Sequence, residues 1–381
     1  MDLSAVRSRL DEIDGELLDL FIERLRLAAD VAAAKATTGK AVFDPARERQ
    51  KLARVAARTP DAYEPQALAL FSLLMSMNKA EQLRILKAGG AQSRASQMRR
   101  ALLPADTPFP GVATVVCQGV EGAYSNIAAT RAFRVPDITF VRSFEEVFRT
   151  VLAGKATYGV IPLENSTAGS VTAVYDLFAR YPAHIVRAVR VKIDHNLLAK
   201  PGVRREDVRE VWSHEQALAQ CADYLAGLDV EVHVCPNTAR AAELVAQSDR
   251  TDVAALSSAL CANLYGLEII EADVQDSDAN YTRFAVIGSR PEVFPGATRT
   301  SLMLTLPHEP GSLYRVLERL YALDINMVKL ESRPIPGRDF EFRFYFDLDC
   351  PVGSPALDTL LDALDDIADE VWYLGSYAEV L

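Results

Sequence analysis

Leu3, Val6, Leu10, Ile13, Leu17 and Leu20 recur at steps of three and four, and Arg24, Leu27, Val31 and Ala34 continue the same line. An unbroken seam of this length predicts a long helix packed on other helices, on another chain. Residues 1–88 carry almost no strand signal. The stretch AGGAQSRASQMRRALLPADTPFPG follows, and its Gly, Ser, Arg and Pro content reads as a linker over 89–111. Residues 112–290 alternate short apolar runs (VATVVCQG, ITFVRS, YGVIPLE, EVHVC, VAALSS, RFAVIG) with helical segments, the pattern of an α/β domain. After the turn-rich joint SRPEVFPGATRT, residues 299–381 read strand–helix–strand–strand–helix–strand, a ferredoxin-like unit. Within it Phe340, Phe342, Phe344, Phe346 and Leu348 alternate with mostly polar residues as a half-buried strand. The expected chain is multi-domain: all-α, then α/β, then α+β.

A length of 381 residues fits that division, since it exceeds one ordinary core. The net charge of -11 argues against nucleic acid as the main partner. Five scattered cysteines without metal-ligand spacing suit a reducing compartment and no metal. The N-terminus MDLSAVRSRLDEID is charged from its second residue, unlike a signal peptide, and the longest apolar run, ALALFSLLMSM, is too short to span a bilayer. The expectation is a cytoplasmic protein with no membrane partner.

Arg24 interrupts the apolar seam. Taken alone it is a snorkelling arginine, one held by a structural acid near Glu23, or one that meets a ligand. Lys35, eleven residues on, shares its face at roughly 16 Å, close enough for two long side chains to grip a small dianion. Arg7 lies roughly 25 Å from Arg24 and off that face, so it reaches the same ligand only from a second protomer. Asp44 is placed to cap a second helix with Pro45 at its first position. In the third helix Phe71 and Met75 mark an apolar face that Asn78 and Gln82 continue. The motifs VRSRLDEID, ERLRLAADVAAAK, DPARER and MNKAEQ together resemble the all-helical chorismate mutase family over nearly all of residues 1–88. The resemblance implies that Arg7, Arg24, Asp44, Arg47 and Asn78 bind chorismate. It gives Lys35 and Gln82 to the ether oxygen and Glu48 to the ring hydroxyl. Asn78 stands where relatives often have serine. The family works as intertwined protomers, so a homodimer or higher homo-oligomer is expected. The rearrangement to prephenate needs no proton transfer, only a held conformer and stabilised charge on the breaking ether.

Three stretches of the second block belong together. CQGVEGAYSNIAA is a strand, a glycine-bearing turn and a helix start with Ser125 near it, an anion site in kind though a common one. YGVIPLENSTAGSV ends a buried strand in Glu164, Asn165, Ser166 and Thr167. DSDANYTRFAVIG puts Thr282 and Arg283 at a strand entrance. With WSHEQALAQC, these resemble prephenate dehydratase over about 112–290, a family with a two-lobed fold similar to periplasmic binding proteins and the site in the cleft. The Gln118–Gly119–Val120 turn departs from the usual Gly-Pro. The resemblance implies Thr282 as proton donor to the leaving hydroxyl, polarised by Glu164 or Asn165, with Ser125, Ser166 and Gln216 orienting prephenate. Arg283 is left between carboxylate binding and bracing the fold, and His214 is given a supporting role. No cofactor is implied.

HEPGSLYRVLERL and KLESRPIPG resemble the phenylalanine-binding ACT domain. The resemblance implies an effector site of Gly311, Ser312, Leu313, Asn326, Glu331, Ser332 and Arg333 at a joint between paired domains. The three blocks together resemble bifunctional chorismate mutase/prephenate dehydratases under feedback by L-phenylalanine. An amino-acid sensor with a decayed mutase is the rival from another class, and it has no reason to keep Thr282, Glu164 and Asn165 beside the full mutase set. An arogenate dehydratase is the third reading.

Overall fold

The computed structural model describes residues 2–38, 44–87 and 94–380. The chain forms two compact units, Met1–Gln97 with Leu361–Asp366, and Met98–Leu360 with Ile367–Leu381.

The first unit is built on α1 (Leu3–Thr38), α2 (Pro45–Ala56) and α3 (Glu64–Lys87). α1 runs for 36 residues, roughly 54 Å at 1.5 Å per residue. α2 starts as its sequence dictates. Asp44 is extended, its carboxylate accepts the Arg47 N–H at 3.0 Å, and Pro45 follows where a missing N–H costs nothing. α3 packs on both α1 and α2, with Ala28 and Ala32 of α1 and Met75 of α3 buried. The N-terminal seam is different. Leu3 and Leu20 are each 62% exposed, and Leu10, Ile13, Leu17 and Leu27 are exposed with them.

Part of the expected linker, residues 89–93, lies outside the described residues. The remainder is ordered more than its composition suggested: Arg94–Ala101 form α4, and Leu103–Pro104 form a short strand, β1.

The second unit contains three main sheets. The first uses β2 (Val112–Gln118), β3 (Val135–Val141), β4 (Tyr158–Asn165), the short β5 (Gly169–Ser170) and β6 (His184–Lys192), with α5 (Tyr124–Ala132), α6 (Phe144–Leu152) and α7 (Thr172–Phe178) between them. The second uses β7 (Asn196–Ala199), β8 (Glu210–Ser213), β9 (Glu231–Val234), β10 (Val253–Ser257) and β11 (Glu268–Glu271), with α8 (Glu215–Gln220), α9 (Ala222–Ala226), α10 (Thr238–Gln247) and α11 (Ala259–Tyr265). The chain then returns to the first sheet as β12 (Tyr281–Gly288), between β4 and β6. It therefore crosses between the sheets twice, after β6 and before β12. β4 is buried on both faces. Ile161 and Leu163 join one apolar cluster and Tyr158 and Val160 another.

A short strand, β13 (Glu292–Val293), pairs in parallel with β1. The third sheet follows: β14 (Arg299–Thr305), α12 (Ser312–Ala322), β15 (Asn326–Pro334), β16 (Phe342–Asp349), α13 (Pro355–Ile367) and β17 (Glu370–Tyr377). Its strand order, β15–β16–β14–β17, is the ferredoxin-like arrangement. Phe340 falls outside the alternating strand expected for it: it sits at φ 61° in the preceding turn and is 77% exposed. β18 (Glu379–Val380) ends the chain beside β6.

β17 lies so close to β6 that only glycine fits at one point. Gly375 has φ 147°, and a Cβ there would stand 2.0 Å from the Ile185 carbonyl oxygen. Ile185 is itself paired to Ile287 of β12 and has no room to retreat. Gly375→Ala is therefore expected to cost about 3–5 kcal/mol of stability, read as a lowered denaturant midpoint. An unchanged midpoint would show that β17 can move off β6.

Candidate active sites

In the helical unit α1 and α3 are tied by polar bonds along the line that turns from apolar to amide. The Arg24 guanidinium donates to the Leu74 carbonyl. Asn78 donates to the Arg24 carbonyl at 3.1 Å, and Gln82 Nε2 donates to Asn78 Oδ1 at 2.7 Å. Gln82 is 4% exposed, and its Oε1 has no partner among the described residues. This orientation departs from the donor role expected of Gln82. Its NH₂ is spent on Asn78, and the amide must turn over to donate elsewhere. Glu48 pairs with Lys79 at 2.8 Å. Asp44 spends an oxygen on the α2 cap, while Arg7 and Arg47 are exposed and Lys35 is half-buried.

A residue missed in the sequence joins this group. Burial, then the positive fields of Arg24 and Arg47, depress the pKa of Lys51. Burial alone depresses that of Arg24. Lys51 follows Arg47 by four residues, so both project from one face of α2. That spacing was the available signal. Three cations, Arg24, Arg47 and Lys51, are thus near enough for their charges to be felt at Lys51.

In the second unit a cleft of about 570 Å³ opens between the first two sheets. Its core is the end of β4 against β12, where Thr282 is paired with Asn165. Asn165 Oδ1 accepts the backbone N–H groups of Thr167 at 3.1 Å and Ala168 at 2.9 Å. That fixes which end of the amide is which. Nδ2 then donates to Thr282 Oγ1 at 3.0 Å and to Asn280 Oδ1 at 2.7 Å. The Thr282 oxygen accepts, so its hydrogen remains to be given, and no acceptor for it lies among the described residues.

Glu164 does not take part, which corrects the expectation that it polarises Thr282. β4 carries one extra residue, Leu163, opposite the Arg283–Phe284 step of β12. This bulge resets the alternation: Pro162 and Asn165 both line the cleft, and Glu164 turns away. Glu164 is held by Arg283 at 2.8 Å and by Lys329 of β15. Of the two roles left open for Arg283, the structure favours bracing: it is 5% exposed on the far face and bound to Asp347 and Glu164. Burial pulls its pKa down, but Asp347, Tyr377 and Glu164 outweigh burial and raise it. Ser166 is also removed from the cleft. Its Oγ donates to the Ala279 carbonyl at 2.6 Å and accepts the Tyr281 N–H at 2.9 Å, stitching a loop.

Ser125 and Gln216 do line the cleft, Ser125 donating to the Gln118 carbonyl at 2.7 Å. Tyr124, His195, His214, Gln220, Asn237 and Thr238 line it as well. Gln220 is four residues after Gln216, a helical spacing that the sequence displayed. It donates to Thr167 Oγ1 at 2.9 Å and accepts from His195 Nε2 at 3.0 Å. Burial lowers the His195 pKa, against the opposing pull of Gln220 and Asp194. Tyr124 stands in the CQGVEGAYSNIAA stretch beside Ser125, whereas His195 carried no sequence signal, because its place depends on where the chain crosses between sheets.

In the third sheet Gly311, Ser312 and Leu313 line a cavity of about 350 Å³ with Pro307, Tyr314 and Phe342. Asn326, Glu331, Ser332 and Arg333 do not line this cavity; the joint expected to gather them lies between paired domains. Glu331 accepts from Ser170 of β5, and Arg333 grips Asp176 of α7 at 2.8 and 3.0 Å. Asn326 donates to Asp349 at 3.1 Å, and Ser332 is exposed.

The Prephenate dehydratase family model matches residues 115–292, and that of Chorismate mutase type II matches 6–83. The bifunctional chorismate mutase/prephenate dehydratase of Neisseria gonorrhoeae is 31% identical over 375 residues, covering 97% of this chain and 95% of that one. The chain belongs to the bifunctional chorismate mutase/prephenate dehydratase family. Among solved structures, prephenate dehydratase from Arthrobacter aurescens in complex with L-Phe is 29% identical, with a TM-score of 0.63 over 70% of this chain and 90% of that one. GqqA, described as a quorum quenching acylase, is 32% identical, with a TM-score of 0.64 over 69% of this chain and 97% of that one. The same fold thus carries different chemistries, and function has to be argued from the site. No helix among the described residues is long and apolar enough to cross a membrane.

Proposed function

We propose that the helical unit rearranges chorismate to prephenate and that the cleft converts prephenate to phenylpyruvate, with L-phenylalanine acting through the C-terminal block. The observation that carries this is the Asn165 amide donating to Thr282 Oγ1 while its own carbonyl is saturated. In the reaction the ring carboxylate leaves as carbon dioxide, its bonding electrons enter the ring, and the C4–O bond breaks. The hydroxyl takes a proton through Thr282 and departs as water. A bond donated to an oxygen makes its own hydrogen a better donor.

The lining of the cleft suits this substrate. Among its described residues none is Asp, Glu, Arg or Lys. A cation clamped on the ring carboxylate would stabilise it before decarboxylation and oppose its loss. α5 and α10 both begin at the cleft wall, so their positive ends offer diffuse attraction to a dianion. No carboxylate is there to receive an ammonium, which favours the keto acid prephenate over the amino acid arogenate. In the helical unit Arg24, Arg47 and Lys51 supply the cationic field, and Glu48 remains the group for the ring hydroxyl. The exposed seam of α1 supports a second protomer laid along it, from which Arg7 completes the site. The third sheet reads as an ACT domain, with the effector carboxylate at the start of α12 near Gly311, and Lys329 and Glu331 as its links to the dehydratase sheets.

The experiment is to add chorismate to purified protein and follow phenylpyruvate, with and without phenylalanine. Phenylpyruvate should form and phenylalanine should slow it. A typical coupling corresponds to roughly 5–150-fold in affinity. Prephenate accumulating without phenylpyruvate would remove the dehydratase assignment. Insensitivity at millimolar phenylalanine would remove the regulatory one.

A further inference from the structure

His214 lines the cleft and sits at the start of α8, carried by the end of β8 in the second sheet. Its Nδ1 accepts the backbone N–H of Gln216 at 3.2 Å. A ring nitrogen that accepts carries no hydrogen, so the one proton of the neutral ring is on Nε2. The helix cap therefore fixes the tautomer, and the half-buried ring has one donor left to give. We infer that His214 is a substrate-binding residue, whose Nε2–H donates to an oxygen of prephenate at the end remote from the leaving hydroxyl.

The inference rests on the dehydratase reading and deepens it. Thr282 and Asn165 stand on the first sheet and His214 on the second. Prephenate bears its hydroxyl and its two carboxylates at opposite poles of the ring. With the hydroxyl at Thr282, the anionic pole faces the second sheet. A neutral donor suits that pole, because it binds oxygen without adding the full charge that would hold the departing carboxylate in place.

The test separates binding from capping. His214→Ser keeps the helix cap, since serine is among the best residues there, but loses the reach of the imidazole. His214→Ala loses both. Dehydratase kinetics on full-length protein should show KM raised about 10–100-fold in both variants, the loss of one hydrogen bond to a charged acceptor. kcat should change far less. The denaturant midpoint and near-ultraviolet circular dichroism of the same preparations report folding. A serine variant with parental KM would reduce His214 to a cap and overturn the inference. Should the serine variant fail to fold, ¹⁵N-histidine spectra of the parent protein decide. The Nε2–H signal of His214 should shift when phenylpyruvate binds, and a signal that ignores bound product overturns the inference. If the parent enzyme itself makes no phenylpyruvate, the dehydratase reading has failed instead.

Discussion

Thr282→Val should lower dehydratase turnover by about 10²–10⁴-fold, the value of a positioned proton donor, while Thr282→Ser keeps most of the rate. Valine matches threonine in shape and burial, so the difference isolates the hydroxyl. Asn165→Leu should fall in the same range, because Thr282 then loses the donor at 3.0 Å that polarises it. The double variant should be no worse than Thr282→Val alone. Two groups that act as one unit are not additive. Losses that multiply would mean Asn165 works on the substrate independently of Thr282. A full rate in the valine variant would remove Thr282 from the chemistry.

The blocks of the fold were legible because their signals are local. The long helix α1, the Asp44–Pro45 start of α2 and the βαββαβ order all stand in the structure as the sequence predicts. The cleft was legible as a set of motifs but not as a geometry. Glu164 and Asn165 are adjacent, and plain alternation from Val160 and Pro162 puts Glu164 on the cleft face. The bulge at Leu163 reverses this, and a one-residue bulge leaves no mark in a sequence without its partner strand. Lys329, Glu331 and Arg333 showed a readable pattern, every second residue of one strand. What they would meet, Glu164, Ser170 and Asp176, lies more than 150 residues away in the chain and depends on how the sheets pack. Within one chain the two halves of the effector motif therefore face different neighbours.

Arg24→Ala should lose prephenate formation by about 10²–10³-fold, the scale for removing one preorganised charge partner, and leave dehydration of added prephenate intact. The two activities belong to separate compact units, so a loss confined to one is informative. The variant is not purely electrostatic. Arg24 also donates to the Leu74 carbonyl from a half-buried position, so some stability will go with it. The Asn78 bond survives, since it uses the Arg24 backbone oxygen. Arg24→Met separates these effects by keeping the stem and removing the charge. If charge is what matters, the methionine variant is as inactive as alanine while its thermal stability stays nearer the parent. A second consequence follows from the field of Arg24 on Lys51. Removing that positive neighbour relieves one of the two like charges that hold the Lys51 pKa down, so it should rise in both variants. Methionine restoring mutase activity would make Arg24 a packing residue, and the anion site would have to be sought among Lys35, Arg47 and Lys51 alone.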